Sequence, residues 1–378
     1  MIVAGVMSGT SADGINVALV RVTGRGLRTR FQLLAHREFP YPRAIRNAIL
    51  AMMNARAARV GDLASLNFLL GELYAEAITQ TARRAQLRVE LVGCHGQTLY
   101  HRGESEPFLG RKLAVTWQTG EGAIVAARTG APAVTDFRPA DMAAGGKGAP
   151  LVPFLDYLVY RHSRIGRIVL NIGGIANLSA IPAGASPDQV VAFDTGPGNM
   201  VIDAVTERLF GRRYDSDGTI AASGKVLEGV LADMMRLRFF RRPPPKTAGR
   251  EEFGREFVSE FLRRCKGARK QDVVATATAL TARSIAQAIQ DHVLVRGKFR
   301  ELIASGGGTK NLALMRMLAN QLPQLRLRRT DDFGLPAEAK EAVAFALMAY
   351  QTWQRLPSSV PAATGAERAA VLGKVSYP

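Results

Sequence analysis

Hydrophobic residues open the chain as a run, Ile2 to Met7, and resume over Ile15 to Val22 after the polar stretch Ser8-Gly9-Thr10-Ser11-Ala12-Asp13-Gly14. Two short apolar runs split by Gly, Ser and Asp predict a β-hairpin with a turn rich in backbone donors and hydroxyls. From Arg43 to about Arg84 the period lengthens, with Leu66, Leu70, Leu73 and Ala77 at helical spacing. Strand patterns return at Val89 to Gly93, Leu113 to Trp117 and Ala131 to Thr135, with a helix reaching about Arg128 before the last of them. Each strand runs into polar residues: Cys94-His95-Gly96-Gln97-Thr98, Gln118-Thr119-Gly120-Glu121-Gly122, and a loop from Asp136 through Arg138 and Asp141 to Gly148. The C-terminal ends of strands are where α/β proteins place their sites.

The pattern then restarts. Arg167 to Asn171 reads as a strand, Ile172-Gly173-Gly174-Ile175-Ala176-Asn177 as a tight turn, and Leu178 onward as the next strand. Val190 to Phe193 delivers Asp194-Thr195-Gly196-Pro197-Gly198-Asn199 to a helix, Met200 to Phe210, whose N-terminus is placed to receive an anion. Leu302 to Ser305 leads into Gly306-Gly307-Gly308 and a helix from Leu312 to Leu322, and Ala342 to Trp353 reads as a core helix. Two strand-turn-strand units with glycine-rich turns suggest duplicated halves. Pro243-Pro244-Pro245-Lys246-Thr247-Ala248-Gly249-Arg250 reads as a stiff extended piece with anion-binding side chains.

Length and composition narrow this picture. A chain of 378 residues exceeds one ordinary core, so two domains are expected, and 47% hydrophobic with 22% charged residues describes a globular protein. Cys94 and Cys265 form neither a disulfide framework nor a Cys-x-x-Cys pair, which points to a reducing compartment. No basic, apolar leader pattern opens the sequence and no run approaches a membrane span, so a cytoplasmic location without a membrane partner is expected. The net charge of +18 invites a nucleic-acid reading. Its arginines are spread along the chain beside abundant Ala, however, so no nucleic-acid partner is expected and Arg236 to Arg242 reads as a solvated rim beside an anionic ligand.

Candidate chemistry centres on phosphate. Gly218 to Val226 lacks the spacing and the Ser/Thr of a P-loop, and Gly196-Pro197-Gly198 lacks the third glycine of a dinucleotide fingerprint. The Ser8 to Gly14 turn instead offers successive N–H groups, hydroxyls and a carboxylate, the parts needed to hold phosphate and a metal, although a plain hairpin turn uses the same residues. The glycine turns at Gly173-Gly174 and Gly306-Gly307-Gly308 weigh toward phosphate. Asp194 suits a general base, a metal ligand or an Asx-turn former; His95 suits a ligand or a satisfied hydrogen-bonding residue. No His/Cys grouping has zinc spacing.

Taken in order, Met7 to Gly14, His95-Gly96-Gln97-Thr98, Asp136-Phe137-Arg138 with Gly148 to Pro153, Asn171 to Leu178, Phe193 to Asn199, Pro243 to Lys246, Gly306 to Gly308, Glu341 to Ala346 and Thr364-Gly365-Ala366 resemble the anhydro-N-acetylmuramic acid kinase family, nearly end to end. That family belongs to the sugar kinase, heat-shock chaperone and actin superfamily. The resemblance implies an α/β, two-lobed actin-like ATPase fold, each lobe a mixed sheet flanked by helices with nucleotide in the interlobe cleft; the lobes would comprise 1–133 plus 356–378, and 134–355. It implies ATP and Mg²⁺ as cofactors, an amino sugar as the small-molecule partner, and a homodimer.

The implied reaction opens the 1,6-anhydro bridge of the muramyl sugar with water and phosphorylates O6, as in peptidoglycan recycling and amino sugar catabolism. By resemblance Asp194 is the base, and ATP lies on Gly9, Thr10, Ser11, Ala12, Asp13, Gly14, Ile15 and Asn16, with Gly173, Gly174, Gly306, Gly307 and Gly308 enclosing it. His95, Arg138 and Glu341 fall in motifs that contact sugar. The chain departs from the family at Ala12, where Leu is usual, at Lys147, where Gln is usual, and at Asn16, where Asp is usual, which leaves Asp13 to hold the metal. A glycoside hydrolase using Asp194 and Glu341, or an ATP-switched scaffold, are the rival readings.

Overall fold

The computed structural model describes residues 1–378, the side chain of Arg250 excepted. Twelve strands follow in chain order: β1 (Ile2–Ser8), β2 (Gly14–Thr23), β3 (Arg30–Pro40), β4 (Leu91–Phe108), β5 (Arg111–Thr119), β6 (Ala133–Thr135), β7 (Gly166–Ile172), β8 (Ile175–Ile181), β9 (Val191–Pro197), β10 (Phe299–Ser305), β11 (Arg326–Arg329) and β12 (Lys374–Ser376). They form two sheets in two compact units, one comprising Met1–Leu158 with Glu338–Pro378 and the other Val159–Ala337. The α/β class holds, with each unit a mixed sheet flanked by helices.

The first sheet runs β12-β6-β4-β1-β2-β3, with β5 paired to β4. The opening hairpin forms as expected: β1 and β2 pair antiparallel in the register Met7↔Asn16, and β1 lies parallel to β4. Helices α1 (Arg43–Met52), α2 (Val60–Ala85) and α3 (Gly122–Thr129) follow, and Leu70, Tyr74, Ile78 and Val125 join Val6, Val17 and Val92 in one buried cluster. The helix Lys340–Trp353 packs on β1 and β4 at backbone distance. A Cβ at Gly5 would collide with the Ala342 carbonyl, and one at Gly93 with that of Phe345.

In the second unit the order is β11-β10-β7-β8-β9, with β7, β10 and β11 parallel and β8 and β9 antiparallel. The helix Lys270–His292 buries Val274, Ala277, Leu280, Ile285 and Ile289 completely and anchors this core. Its length and small residues allow close packing on the neighbouring helices and on β9.

Four expectations are corrected. The helical stretch 43–84 is two helices, broken between Met53 and Arg59, where Asn54 takes a left-handed φ of 54°. The strand expected at Val89 to Gly93 continues to Phe108, because its polar second half pairs with β5 in the register His101↔Thr116 and Phe108↔Arg111. The polar loop after Asp136 is a helix, α4 (Phe137–Ala143), followed by α5 (Pro153–Tyr160). The domain limits shift from 133/134 and 355/356 to 158/159 and 337/338, since α4 and the helix Lys340–Trp353 pack with the first sheet.

Candidate functional site

In the first unit the Ser8–Gly14 turn is braced from beneath. Ser8 is buried, and its hydroxyl donates to Gln97 Oε1 at 2.6 Å and lies 3.0 Å from the Tyr41 hydroxyl. Gln97 Nε2 donates in turn to the Gly9 carbonyl at 3.3 Å. Burial drives the Tyr41 phenol up to about 12, so it remains a neutral hydrogen-bonding partner. This bracing leaves Thr10, Ser11 and Asp13 exposed, while Ala12 and Ile15 turn their side chains into the core. Ala12 closes the turn at φ 53° by donating to the Gly9 carbonyl.

The glycines of the predicted phosphate loops divide by what surrounds them. Gly14 is required by packing, because a Cβ there would strike Phe39 of β3, and Gly306 and Gly308 face Ile172 in the same way. Gly9, Gly173, Gly174 and Gly307 have no heavy atom closer than 3.5 Å to the position a Cβ would take, so the space over their Cα atoms is open, although the Gly173 N–H is taken by the Ile175 carbonyl. Asn16 differs again: its Oδ1 lies 2.9 Å from His36 Nε2, which ties its side chain to β3.

Asp13 pairs only loosely with Arg46, at 3.5 Å between exposed side chains. Among the described residues no group of three or more His, Cys, Asp or Glu side chains gathers to hold a metal ion. That donor set fits Mg²⁺ carried on nucleotide phosphates, an ion that uses one or two carboxylates and keeps its waters, better than an all-protein metal cage.

His95, Arg138 and Glu341 lie in one neighbourhood. Arg138 donates to His95 Nε2 through Nε at 3.1 Å and Nη2 at 2.9 Å, and to the Gly148 carbonyl through Nη1 at 2.8 Å. His95 Nδ1 therefore carries the proton, directed at the Gly96 carbonyl at 2.7 Å. Burial first and the Arg138 charge second hold His95 well below the usual histidine range, so it is a neutral brace. Burial also lowers Arg138 to about 10, with Glu341 and Asp141 opposing. Glu341 is open to solvent by surface area yet crowded by protein; desolvation raises its carboxyl above the usual range while Lys340 and Arg138 pull it back. Beside His95 lies a cavity of about 450 Å³ lined by Trp117, Gln118, Glu121, Asp136 and Lys374, which neither Arg138 nor Glu341 borders.

In the second unit Asp194 sits in β9 opposite Asn177. Its backbone N–H donates to the Lys246 carbonyl at 3.0 Å, and one carboxylate oxygen accepts from Ala248 N–H at 2.7 Å. Desolvation raises the carboxyl to about 6, with Glu252 and Glu251 adding to the shift and the Ala248 bond and Lys246 opposing it. Three residues further along the strand, roughly 10 Å, the glycine-rich segments converge. Gly198 and Met200 donate to the Gly174 carbonyl and Asn199 to that of Gly173, at 2.7 to 3.1 Å.

Those bonds occupy the N–H groups of Asn199 and Met200, the first two of helix α6 (Asn199–Phe210). Sequence reasoning passed over Tyr41 and Gln97 beneath the turn and Lys246 and Ala248 around Asp194. Gln97 and Lys246 stand inside segments already singled out, but their partners are separated from them by fold alone.

The family model described as anhydro-N-acetylmuramic acid kinase matches residues 1–378. A protein of that name from Caldanaerobacter subterraneus subsp. tengcongensis is 44% identical, over 99% of this chain and 96% of its own length. One from Bacillus cereus is 42% identical, over 100% of this chain and 99% of its own. Among solved structures, a ROK hexokinase from Thermus thermophilus covers 94% of this chain and 99% of its own at 14% identity and a TM-score of 0.42, a likeness too remote to bear on function. The chain belongs to the anhydro-N-acetylmuramic acid kinase family. It is therefore a phosphotransferase.

Proposed function

We propose that this kinase opens the 1,6-anhydro bridge of 1,6-anhydro-N-acetylmuramic acid with water while the γ-phosphoryl group of ATP passes to O6, yielding N-acetylmuramic acid 6-phosphate and ADP. The observation that carries this reading is Asp194, near a strand's polar end, its carboxylate held by the Ala248 N–H and poised at about 6. A base in that range is ionised at neutral pH yet still basic enough to accept a proton from water. Asp194 takes that proton as the oxygen adds to C1; the C1–O6 bond breaks and O6 becomes the acceptor, so ring opening and phosphoryl transfer are coupled.

The exposed Thr10, Ser11 and Asp13 and the open space over Gly9, Gly173, Gly174 and Gly307 support nucleotide phosphate binding. Mg²⁺, when bound, spreads the charge of the transferring group, and Asp13 is the carboxylate offered to it. His95, Arg138 and Glu341 form the sugar side, with His95 holding Arg138 so that its guanidinium faces an anionic substituent in a fixed orientation. Family membership supports the actin-like ATPase plan, a homodimer and a cytoplasmic place in peptidoglycan recycling. Among the described residues no helix is long and apolar enough to cross a membrane.

The test is ADP release across a panel of amino sugars, with ring opening followed with and without ATP. ADP release with the anhydro-sugar alone, and no opening without ATP, is expected. Opening without ATP marks a hydrolase instead, and activity confined to another sugar replaces the substrate.

A further inference from the structure

The mechanism uses Asp194 but leaves unexplained a buried lysine near it. Lys246 is 2% exposed, and its ammonium rests over the Phe239 ring, 4.9 Å from the centroid, with a bond of 3.4 Å to the Phe239 carbonyl. Phe239 in turn packs edge-on against Phe240 and Phe253. An ammonium withdrawn from water costs several kcal/mol unless other contacts compensate, and a passive spacer has no need of one. The segment bearing it reaches Asp194 twice: the Lys246 carbonyl takes the Asp194 N–H, and Ala248 N–H holds the carboxylate. Arg242 ties the same segment down by donating to the Thr247 carbonyl at 3.3 Å.

We propose that Lys246 is a positioning residue for Asp194: its ammonium, seated on the Phe239 ring, anchors the 246–248 strap that grips the carboxylate and places a positive charge beside it. The inference rests on Asp194 being the base. Other charges also face the pair. Glu251 and Glu252 act on Asp194, Arg242 and Asp291 act on Lys246, and Lys246 acts in turn on His292. Their net effect is present in every variant, so removing Lys246 alone isolates its part. The Lys246 charge favours the ionised carboxylate, so its loss moves the acid limb of activity toward higher pH.

The experiment compares Lys246→Met, which keeps length without charge, with Lys246→Arg, Phe239→Leu and Asp194→Asn. For Lys246→Met we expect kcat to fall about tenfold or more with KM for sugar and ATP within about threefold, and the acid limb to move up in pH. Lys246→Arg should restore much of kcat and the original limb. Phe239→Leu, which removes the ring beneath the ammonium, should lower kcat in the same direction and serves if Lys246→Met does not fold. An unmoved limb in Lys246→Met, or kcat unchanged in both Lys246→Met and Phe239→Leu, overturns the assignment. Turnover retained by Asp194→Asn removes the base itself, and with it this inference; an inactive Asp194→Asn beside an unchanged Lys246→Met removes Lys246 alone.

Discussion

Asp194 shows how a catalytic residue and a stable fold pull apart. Its carboxyl titrates at about 6 in the folded chain and near the usual aspartate value, about 3.9, when unfolded. Below about pH 4 it is protonated in both states and costs nothing. As pH rises through 6 the folded state carries a desolvated charge, so stability from this group is lost over that window, by up to about 3 kcal/mol. Asp194→Asn should therefore abolish sugar phosphorylation yet melt higher than the parent at pH 7.5, with the two melting points converging at pH 4; calorimetry at both pH values reads this. In the parent enzyme kcat should fall as pH drops below about 6. Gln97 is the second residue to probe. Gln97→Ala leaves the Ser8 hydroxyl without its closest partner and removes one of the two donors to the Gly9 carbonyl, for an expected loss of about 1–3 kcal/mol and a raised KM for ATP with the sugar KM unchanged.

Among the elements, the helix Lys340–Trp353 bears the tightest constraints. Gly93→Val would push a side chain into the Phe345 carbonyl, where neither backbone can yield, so destabilisation at the upper end of overpacking costs, about 3 kcal/mol, is expected in denaturant titration. Lys340 pairs with Asp156 at 2.7 Å, both almost wholly buried. Lys340→Met should cost about 3–5 kcal/mol by removing the cation of a buried ion pair, and adding Asp156→Leu should recover much of it. Alternation and glycine turns made β1, β2 and β7 to β9 legible in the sequence, because each pairs with a neighbour close in the chain. The second half of β4 was not legible: Tyr100 to Glu106 is polar, and only its pairing with β5 makes it a strand. The candidate site divides in the same way. Asp194 and the turn after Ser8 announce themselves by local chemistry, whereas the grip of Lys246 and Ala248 on Asp194 joins residues more than fifty positions apart.

For the whole molecule, ligand linkage gives the broadest check. A ligand at about 100 times its Kd adds about 2.7 kcal/mol to stability, so Mg-ATP should raise the melting midpoint and the anhydro-sugar should raise it further. Asp13→Asn should diminish the first shift and spare that given by sugar alone, since Asp13 is the exposed carboxylate of the turn. Sedimentation of the 40.8 kDa chain at twice its mass would establish the proposed homodimer.

The division of the chain into Met1–Leu158 with Glu338–Pro378, around Val159–Ala337, also orders its birth on the ribosome. The inner stretch is continuous and can close its core as soon as it emerges. The opening hairpin must wait, because the helix that covers β1 and β4 is made more than two hundred residues after them. Until then Val3 and Leu91, which share strand faces with Gly5 and Gly93, lack part of their cover, and nascent chains ending before residue 340 are expected to engage chaperones more than the finished chain.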